Sequence, residues 1–280
     1  MKLVLRILKK IVKVFFILIV LLIIAYGILC IVIRPSGTRN WNSDQATPAF
    51  ITISTSTISI KNIRDFSYKT TSDYTPHYYD RVIPRGSVHK VWFIVEPFAK
   101  PGFAHTFLSF ELSDGTFLSI SIEIRKEVGE SFDPIKGVLR QYELMYVIAD
   151  EHDVINLRAN YRNDKVFLYP AKVSTAKANE LFENMLTRAD KLQESPEFYN
   201  TLTNTCTTNI IDHINSLADG TIPFDKRIIF PEDSDYYAYE LGLIDSTLPK
   251  EALREKYQIN TLAKEYENSP LFSKKIRGYE

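Results

Sequence analysis

The sequence predicts an α+β domain that follows one membrane-spanning helix. Strand-like alternation of apolar and polar residues prevails up to about residue 171, and helix-like spacing prevails after it. Near the start of the chain, residues 14–33 form a run without charge. At about 1.5 Å per residue, this run is long enough to cross the ~30 Å hydrocarbon core of a bilayer.

The charges around this run predict its orientation. Five basic residues precede it: Lys2, Arg6, Lys9, Lys10 and Lys13. Only Arg34 follows directly, so the N-terminus is expected in the cytoplasm and the rest of the chain across the membrane. A cleaved signal peptide is the alternative, but its apolar core would be shorter and a small-residue cleavage site would follow.

Four segments are therefore expected along the chain. They are a basic cytoplasmic N-terminus (1–13), a transmembrane helix (14–33), a polar tether (34–48) and a folded domain on the far side of the membrane (49–280). After residue 34 the chain carries 28 basic and 34 acidic residues, a net charge of −6. This mildly acidic balance argues against a nucleic-acid partner, because phosphate binding needs concentrated Lys and Arg.

Alternating stretches indicate the strands of the domain. They are "AFITISTSTISI" (49–60), "VWFIVEPF" (91–98), "AHTFLSFEL" (104–112), "TFLSISIEIR" (116–125), "YELMYVIA" (142–149) and "KVFLYPA" (165–171). Asp114-Gly115 is a strong hairpin signal between two of them. Helices are expected at 174–194, which begins with a Ser-Thr cap signal, and from Cys206 onward, where Ile210, Ile211 and Ile214 follow helical spacing.

Cys206 is the cysteine that lies outside the apolar N-terminal run, and its neighbours are polar. Asn204 or Thr205 can cap the helix that begins there. A thiol at a helix N-terminus ionises more readily, and the free N–H groups of the first turn can stabilise an oxyanion. With one cysteine in the domain, no intramolecular disulfide is expected. No HExxH or CxxC pattern or phosphate-binding glycine loop occurs, so we expect no metal and no cofactor.

His105 is the best candidate for a proton carrier. It begins an apolar strand, whereas His213 lies two helical turns beyond Cys206, about 10 Å along the axis, which is too far for a hydrogen bond. Ser121 and Glu123 lie on one face of the neighbouring strand. Either could orient the imidazole, with Glu123 preferred over Ser121.

Six ordered blocks resemble one family, the bacterial Lnb-type N-terminal periplasmic domain. They are "IRDFSY" (63–68), "AHTFLSFEL" (104–112), "LSISIEIRKEVGE" (118–130), "YELMYVIADEHDVINLRANYR" (142–162), "FYNTLTNTCTTNIIDHIN" (198–215) and "YAYELGLID" (237–245). The resemblance implies a permuted papain-like, NlpC-type thiol fold with an antiparallel sheet, in which the histidine precedes the cysteine. It also implies that Cys206 is the nucleophile, His105 the base and Glu123 the orienting acid.

Three functions remain open from the sequence. The first, which the resemblance favours, is a cysteine-dependent acyltransferase that acts on a membrane lipid or lipoprotein, as in lipoprotein N-acylation. The second is an anchored cysteine hydrolase of cell-wall or envelope substrates, and the third is a non-catalytic interaction domain. Candidate supporting residues are Ser121, Asn204, Thr207 and Arg158. The oligomeric state is not predicted.

Overall fold

The computed structural model describes residues 2–98, 101–218 and 220–279, so the outermost residues of the first and last predicted segments lie outside the described residues. Helix α1 (Lys2–Val32) comes first, and its stretch Leu3–Val32 is long and apolar enough to cross a membrane. The helix begins well before the predicted span because Lys, Arg, Leu and Ile all favour helix. Its 31 residues measure about 46 Å, so the basic first turns extend beyond a hydrocarbon core.

Ten strands follow α1 in the described residues. They are β1 (Phe50–Ile53), β2 (Thr57–Arg64), β3 (Ser67–Tyr68), β4 (Tyr74–Thr75), β5 (Tyr78–Pro84), β6 (Val88–Pro97), β7 (Ala104–Leu112), β8 (Phe117–Arg125), β9 (Glu143–Ala149) and β10 (Phe167–Pro170). Strands β3 and β4 form a separate pair, and the others form one sheet in the order β1-β2-β9-β8-β7-β6-β10, with β5 also paired to β2. The Asp114-Gly115 hairpin is confirmed: Gly115 has φ +77° in the turn between β7 and β8.

Two predictions about the strands need correction. The stretch 49–60 was expected as one strand, but a turn at Ser54–Thr57 divides it into β1 and β2, which pair antiparallel. The Ser54 hydroxyl accepts the Thr57 N–H at 2.9 Å and so stabilises this turn. The sheet was expected to be antiparallel, yet β2 runs parallel to β9 where Arg64 pairs with Ala149. The fold is therefore α+β with a mixed sheet.

The helices of the domain lie mainly in its second half. They are α2 (Pro134–Val138), α3 (Glu151–Asn156), α4 (Thr175–Glu194), α5 (Cys206–Leu217), α6 (Lys226–Ile229), α7 (Ser234–Glu240), α8 (Leu253–Tyr257), α9 (Asn260–Glu265) and α10 (Phe272–Lys275), with a π-helical turn at Leu157–Tyr161. Ser174 caps α4 as expected, accepting the Lys177 N–H.

The two faces of the sheet carry different helices. Leu108 and Phe110 of β7 belong to the core cluster that includes residues of α4 and α5. The preceding residue, Phe107, belongs to the cluster with residues of α3, α9 and α10. Alternation along β7 therefore directs Thr106 to the α4–α5 face and His105 to the opposite face.

The segment predicted as a tether packs on the domain. Ser36 N and Gly37 N donate to the carboxylate of the buried Glu143, at 2.7 and 3.0 Å. Further along, Gln45 is 2 % exposed. Residues 36–48 are thus part of the folded domain, and only residues 33–35 link it to α1.

Candidate active site

A reciprocal pair of threonines forms the helix start that presents Cys206. The Thr205 hydroxyl accepts the Thr208 N–H at 3.2 Å, and the Thr208 hydroxyl accepts the Thr205 N–H at 2.7 Å. This capping box makes Thr205 the N-cap and Cys206 the first helical residue. The N–H groups of Cys206 and Thr207 have no hydrogen-bond acceptor among the described residues.

Asn204 holds the turn that leads into α5. Its side-chain oxygen accepts Asn209 Nδ2–H at 2.7 Å, and its Nδ2–H donates to the carbonyl of Phe198 at 2.9 Å. Asn204 does not belong to the cavity lining described below. Its contacts therefore position the nucleophile loop rather than a substrate.

Cys206 and His105 line one cavity of about 350 Å³. The cavity lies where β7 begins and β8 ends, and both faces of the sheet contribute to it. Ile122 and Cys206 come from the α4–α5 side, and Glu123 comes from the other side. Cys206 is buried, and His105 is half-buried. The structure thus brings together the two residues that the sequence singled out.

His105 is hydrogen-bonded to a serine that in turn contacts a glutamate. His105 Nε2 lies 2.7 Å from Ser121 Oγ, and Ser121 Oγ donates to Glu123 Oε1 at 2.9 Å. Because the single hydroxyl proton goes to the carboxylate, Ser121 must accept the Nε2–H of His105. The lone pair of the neutral imidazole is then on Nδ1, which has no hydrogen-bond partner among the described residues.

The register of the strands explains this chain of contacts. Phe107 pairs with Ser121, and two residues further along each strand, in the same register, Glu123 lies opposite His105. The sequence analysis preferred Glu123 to Ser121 as the direct partner of the imidazole. In the structure Ser121 makes the direct contact, and Glu123 acts through it.

A buried arginine holds Glu123 in place. Arg158 lies on the π-helical turn, where its Nη2–H donates to Glu123 Oε1 at 2.9 Å and its Nε–H donates to Glu96 Oε2 at 2.6 Å. Burial alone would raise the pKa of Glu123, but Arg158 and other nearby cations hold it well below its ordinary value. Glu123 is therefore an anion at every physiological pH.

His105 is a neutral base in this environment. Burial, and next the positive charge of Arg158, lower the pKa of His105 to about 4, although Glu123 and Glu96 oppose the shift. The ring also stacks on Phe107, with 5.5 Å between centroids. A neutral imidazole with a free Nδ1 can accept a proton from a thiol.

Among the described residues, no hydrogen bond joins Cys206 to His105. In the described part of the chain, Cys206 Sγ has one hydrogen-bonding contact, with Thr207 Oγ1 at 3.8 Å. The Thr207 hydroxyl also lies 3.0 Å from that of Thr106. This second contact ties α5 to β7 one residue away from both Cys206 and His105, so it fixes the distance between the two elements.

One further histidine lies outside the cavity of Cys206, and two polar residues that the sequence analysis did not name line it. His213 is buried, bonded to Tyr146 at 2.7 Å and to Asn184, and it does not line the cavity. Sequence reasoning missed Glu96 and Gln45; the latter donates to Glu123 Oε2 at 3.3 Å. Glu96 could have been found as the lone charge inside an apolar strand, whereas nothing around Gln45 signals its role. Among the described residues, no group of three or more His, Cys, Asp or Glu side chains could hold a metal ion.

Fold and site together define a mixed α+β domain, preceded by one apolar helix, with a cysteine and a histidine in the same cavity. The model of the Lnb N-terminal periplasmic domain matches residues 74–236, and the chain belongs to that family. The matched span includes both His105 and Cys206. No curated protein and no solved structure matches the chain. A periplasmic domain after one apolar helix fits a single-pass protein of the inner membrane in the cell envelope.

Proposed function

We propose that this protein is a membrane-anchored thiol acyltransferase in which Cys206 carries the acyl group. The observation that carries the proposal is that Cys206, at the N-terminus of α5, shares a cavity with the His105–Ser121–Glu123 chain. The histidine strand precedes the cysteine helix, as expected of a permuted NlpC-type enzyme. By the charge rule, the basic N-terminus is cytoplasmic and this site is periplasmic.

In the first half-reaction, His105 Nδ1 takes the proton of the Cys206 thiol, and the thiolate attacks the carbonyl carbon of an ester. The N–H groups of Cys206 and Thr207 are available to stabilise the oxyanion. When the intermediate collapses, a C–S bond has formed and the C–O bond breaks. The leaving alcohol takes the proton from the His105 imidazolium.

In the second half-reaction, an acceptor amine attacks the thioester while His105 removes its proton. A C–N bond forms, the C–S bond breaks, and the thiolate recovers the proton from His105. Ser121 and the anionic Glu123 stabilise the imidazolium that forms in each half-reaction. Because His105 rests against Ser121, these transfers require rotation of the imidazole or a water that bridges the cavity.

A second cavity supports a fatty acyl substrate. It measures about 150 Å³, and Thr207, next to Cys206, lines it. The rest of its lining is aliphatic or aromatic except for Lys172, Arg227 and Ser234. Ile228 of α6 faces this apolar cavity, and the adjacent Ile229 faces the cavity of Cys206. Helices α5 and α6 therefore each line both the cavity of Cys206 and a space suited to hydrocarbon.

Hydrolysis of an envelope peptide is the second candidate. It is favoured by the charged residues Lys126, Arg162 and Asp164, which line the cavity of Cys206 and suit a polar substrate. The same thiol and imidazole would act, with water as the acceptor in place of an amine.

Deletion of the gene followed by mass spectrometry of envelope lipoproteins tests the acyltransferase proposal. We expect lipoproteins to lose an N-terminal acyl chain, the parent gene to restore it, and Cys206→Ala to fail. Cys30→Ala is the matched control, since Cys30 lies in α1, and it should restore acylation. An unchanged lipoprotein profile in the deletion strain would favour the hydrolase, and full complementation by Cys206→Ala would exclude thiol catalysis.

A further inference from the structure

The link between α1 and the domain is short and fixed at both ends. Helix α1 ends at Val32, and the first hydrogen bond between the chain that follows this helix and the domain is that of Ser36 N with Glu143. Four Cα steps span at most about 14 Å. Arg39 adds an ion pair to the same carboxylate at 3.1 Å. The edge of the domain around Glu143 therefore stays close to the point where the chain leaves the membrane.

Exposed apolar side chains surround this edge. Ile135 is 70 % exposed, Leu139 46 % and Leu202 49 %. We refer to Ile135, Leu139 and Leu202 as the apolar surface. Scattered exposed apolar residues are ordinary in proteins, but a group beside a membrane exit is not.

The apolar surface belongs to one compact unit. Thr201 Oγ1 donates to the carbonyl of Pro134 at 2.7 Å, which joins the 200–204 turn to α2. A Cβ built on Gly137 would lie 2.3 Å from the Thr201 hydroxyl, so the two segments are in close contact. The unit is joined to the anchored edge because Glu143 forms a β-bridge with Phe198.

Helix α1 itself touches this unit. The Tyr26 hydroxyl donates to the carbonyl of Val138 at 3.2 Å. Tyr26 lies seven residues before Ile33, about 10 Å along the helix axis, so α2 lies beside the last turns of the apolar helix. Apolar residues at interfacial helices enter a bilayer to a similar depth, roughly 5–10 Å.

Two cations beside the apolar surface have no acidic partner. Neither Lys136 nor Arg140 forms an ion pair with any described residue. Arg140 instead lies over the ring of Phe198, 4.6 Å from its centroid. Free cations next to exposed aliphatic residues suit anionic phosphate groups above hydrocarbon.

We propose that the apolar surface is inserted in the outer interface of the bilayer that α1 crosses, with Lys136 and Arg140 at the level of the lipid phosphates. A protein partner fits less well, because the fixed link keeps this edge of the domain at the membrane. The inference does not depend on thiol chemistry, since it rests on the link, the exposed side chains and the free cations.

The placement has a consequence for the cavity of Cys206. Phe132, Tyr199 and Thr201, which line that cavity, come from the same two segments that carry the apolar surface. Leu202 precedes Cys206 by four residues. The thiol therefore opens onto a cavity whose lining adjoins the surface that we place in the membrane.

Nitroxide accessibility in lipid nanodiscs tests the proposal on the full chain. Single cysteines are introduced as Ile135→Cys or Leu202→Cys in a Cys30→Ser, Cys206→Ser background, in phosphatidylcholine–phosphatidylglycerol discs. The matched control is Val82→Cys, which replaces an apolar residue, 64 % exposed, on β5. We expect the labels at 135 and 202 to be relaxed more by oxygen than by a water-soluble nickel chelate, and the label at 82 to show the reverse.

Equal relaxation of all three labels by the nickel chelate would overturn the proposal. Thermal unfolding of each labelled protein checks that the domain remains folded, since substitutions at exposed positions remove little packing. The labels at 135 and 202 could instead be protected from the nickel chelate in protein aggregates without detergent but not in nanodiscs. That result would identify self-association and would also overturn the proposal.

Discussion

At the scale of single residues, the site depends on how a proton is assigned among His105, Ser121 and Glu123. Ser121 has one hydroxyl proton, and its O–H donates a hydrogen bond to the anionic Glu123. The imidazole must then present Nε2–H to Ser121, which leaves Nδ1 as its basic nitrogen. A direct histidine–carboxylate contact would orient the ring in the same tautomer, but here the serine transmits the effect.

On the proposed function, the contacts from His105 through Ser121 to Glu123, here called the relay, predict how strongly substitutions slow acyl-enzyme formation. His105→Gln should slow the reaction of Cys206 with a p-nitrophenyl ester by about 10²–10⁴-fold, because the proton acceptor is lost. Ser121→Ala should fall between the parent and His105→Gln, since the imidazole remains but is no longer oriented. The p-nitrophenolate burst measures the rate. If Ser121→Ala matched the parent while His105→Gln was slow, the relay would have no role in the reaction.

A second residue-scale prediction concerns acid. Burial, and then Arg188, lower the pKa of His213 to about 4. Between that value and about 6.5, the unfolded state binds a proton that the folded state does not, so stability rises with pH across this window. It falls as the pH is lowered from about 6.5 to 4, and the loss for His213 is up to about 3 kcal/mol.

His213→Asn removes this titration and should flatten the pH dependence over the window. Urea unfolding of the detergent-solubilised chain, followed by tryptophan fluorescence at pH 7, 5.5 and 4.5, measures it. His105 titrates over the same range, so part of the slope should remain. His77→Asn is the control, because its ring is exposed. A slope that stays at its parental value in His213→Asn would show that His213 is protonated in the folded state.

At the scale of elements, the contact between the hydroxyls of Thr106 and Thr207 couples β7, which carries His105, to α5, which carries Cys206. Both residues are buried. Thr207→Val should destabilise the domain by about 1–3 kcal/mol because it leaves the Thr106 hydroxyl without its partner. Thr106→Val/Thr207→Val should recover much of this loss, which a double-mutant cycle of urea unfolding energies can measure.

Alternation and capping signals were sufficient to predict most of these elements. Strands β7, β8 and β9, and helices α4 and α5, lie where the patterns placed them. The division of 49–60 into two strands was missed because the Ser and Thr of the turn continue the same alternation. The parallel contact of β2 with β9 joins residues 64 and 149, and local patterns carry no information about such pairing.

The site was also predictable in part from local sequence patterns. Cys206 and His105 are conspicuous because their residue types are unusual in their local patterns. Gln45 was missed because its contact with Glu123 depends on how residues 36–48 fold back onto the sheet. Arg158 was suggested by its motif block, but its position between Glu96 and Glu123 needed the tertiary structure.

At the scale of the whole molecule, a series of contacts connects α1 to the cavity of Cys206. Glu143 fixes the chain that leaves α1, and β9 continues from Glu143 into the middle of the sheet. The bridge from Glu143 to Phe198 then leads to the loop of Cys206. On the proposed function, the anchor therefore fixes both the distance of Cys206 from the bilayer and the location of the protein.

Lengthening the link should separate these two roles. Twelve Gly/Ser residues inserted between Ile33 and Arg34 add about 20 Å of flexible chain. This change lowers the effective concentration of the domain at the interface without altering the cavity. We expect acylation of a lipoprotein in proteoliposomes to fall several-fold, while the burst with a water-soluble ester is unchanged.

The control is the same insert at Gly86, in the exposed turn between β5 and β6, which should leave both activities intact. Equal activity of the lengthened and parent chains on the lipoprotein would mean that substrate reaches Cys206 from solution, and that the short link has no part in its capture.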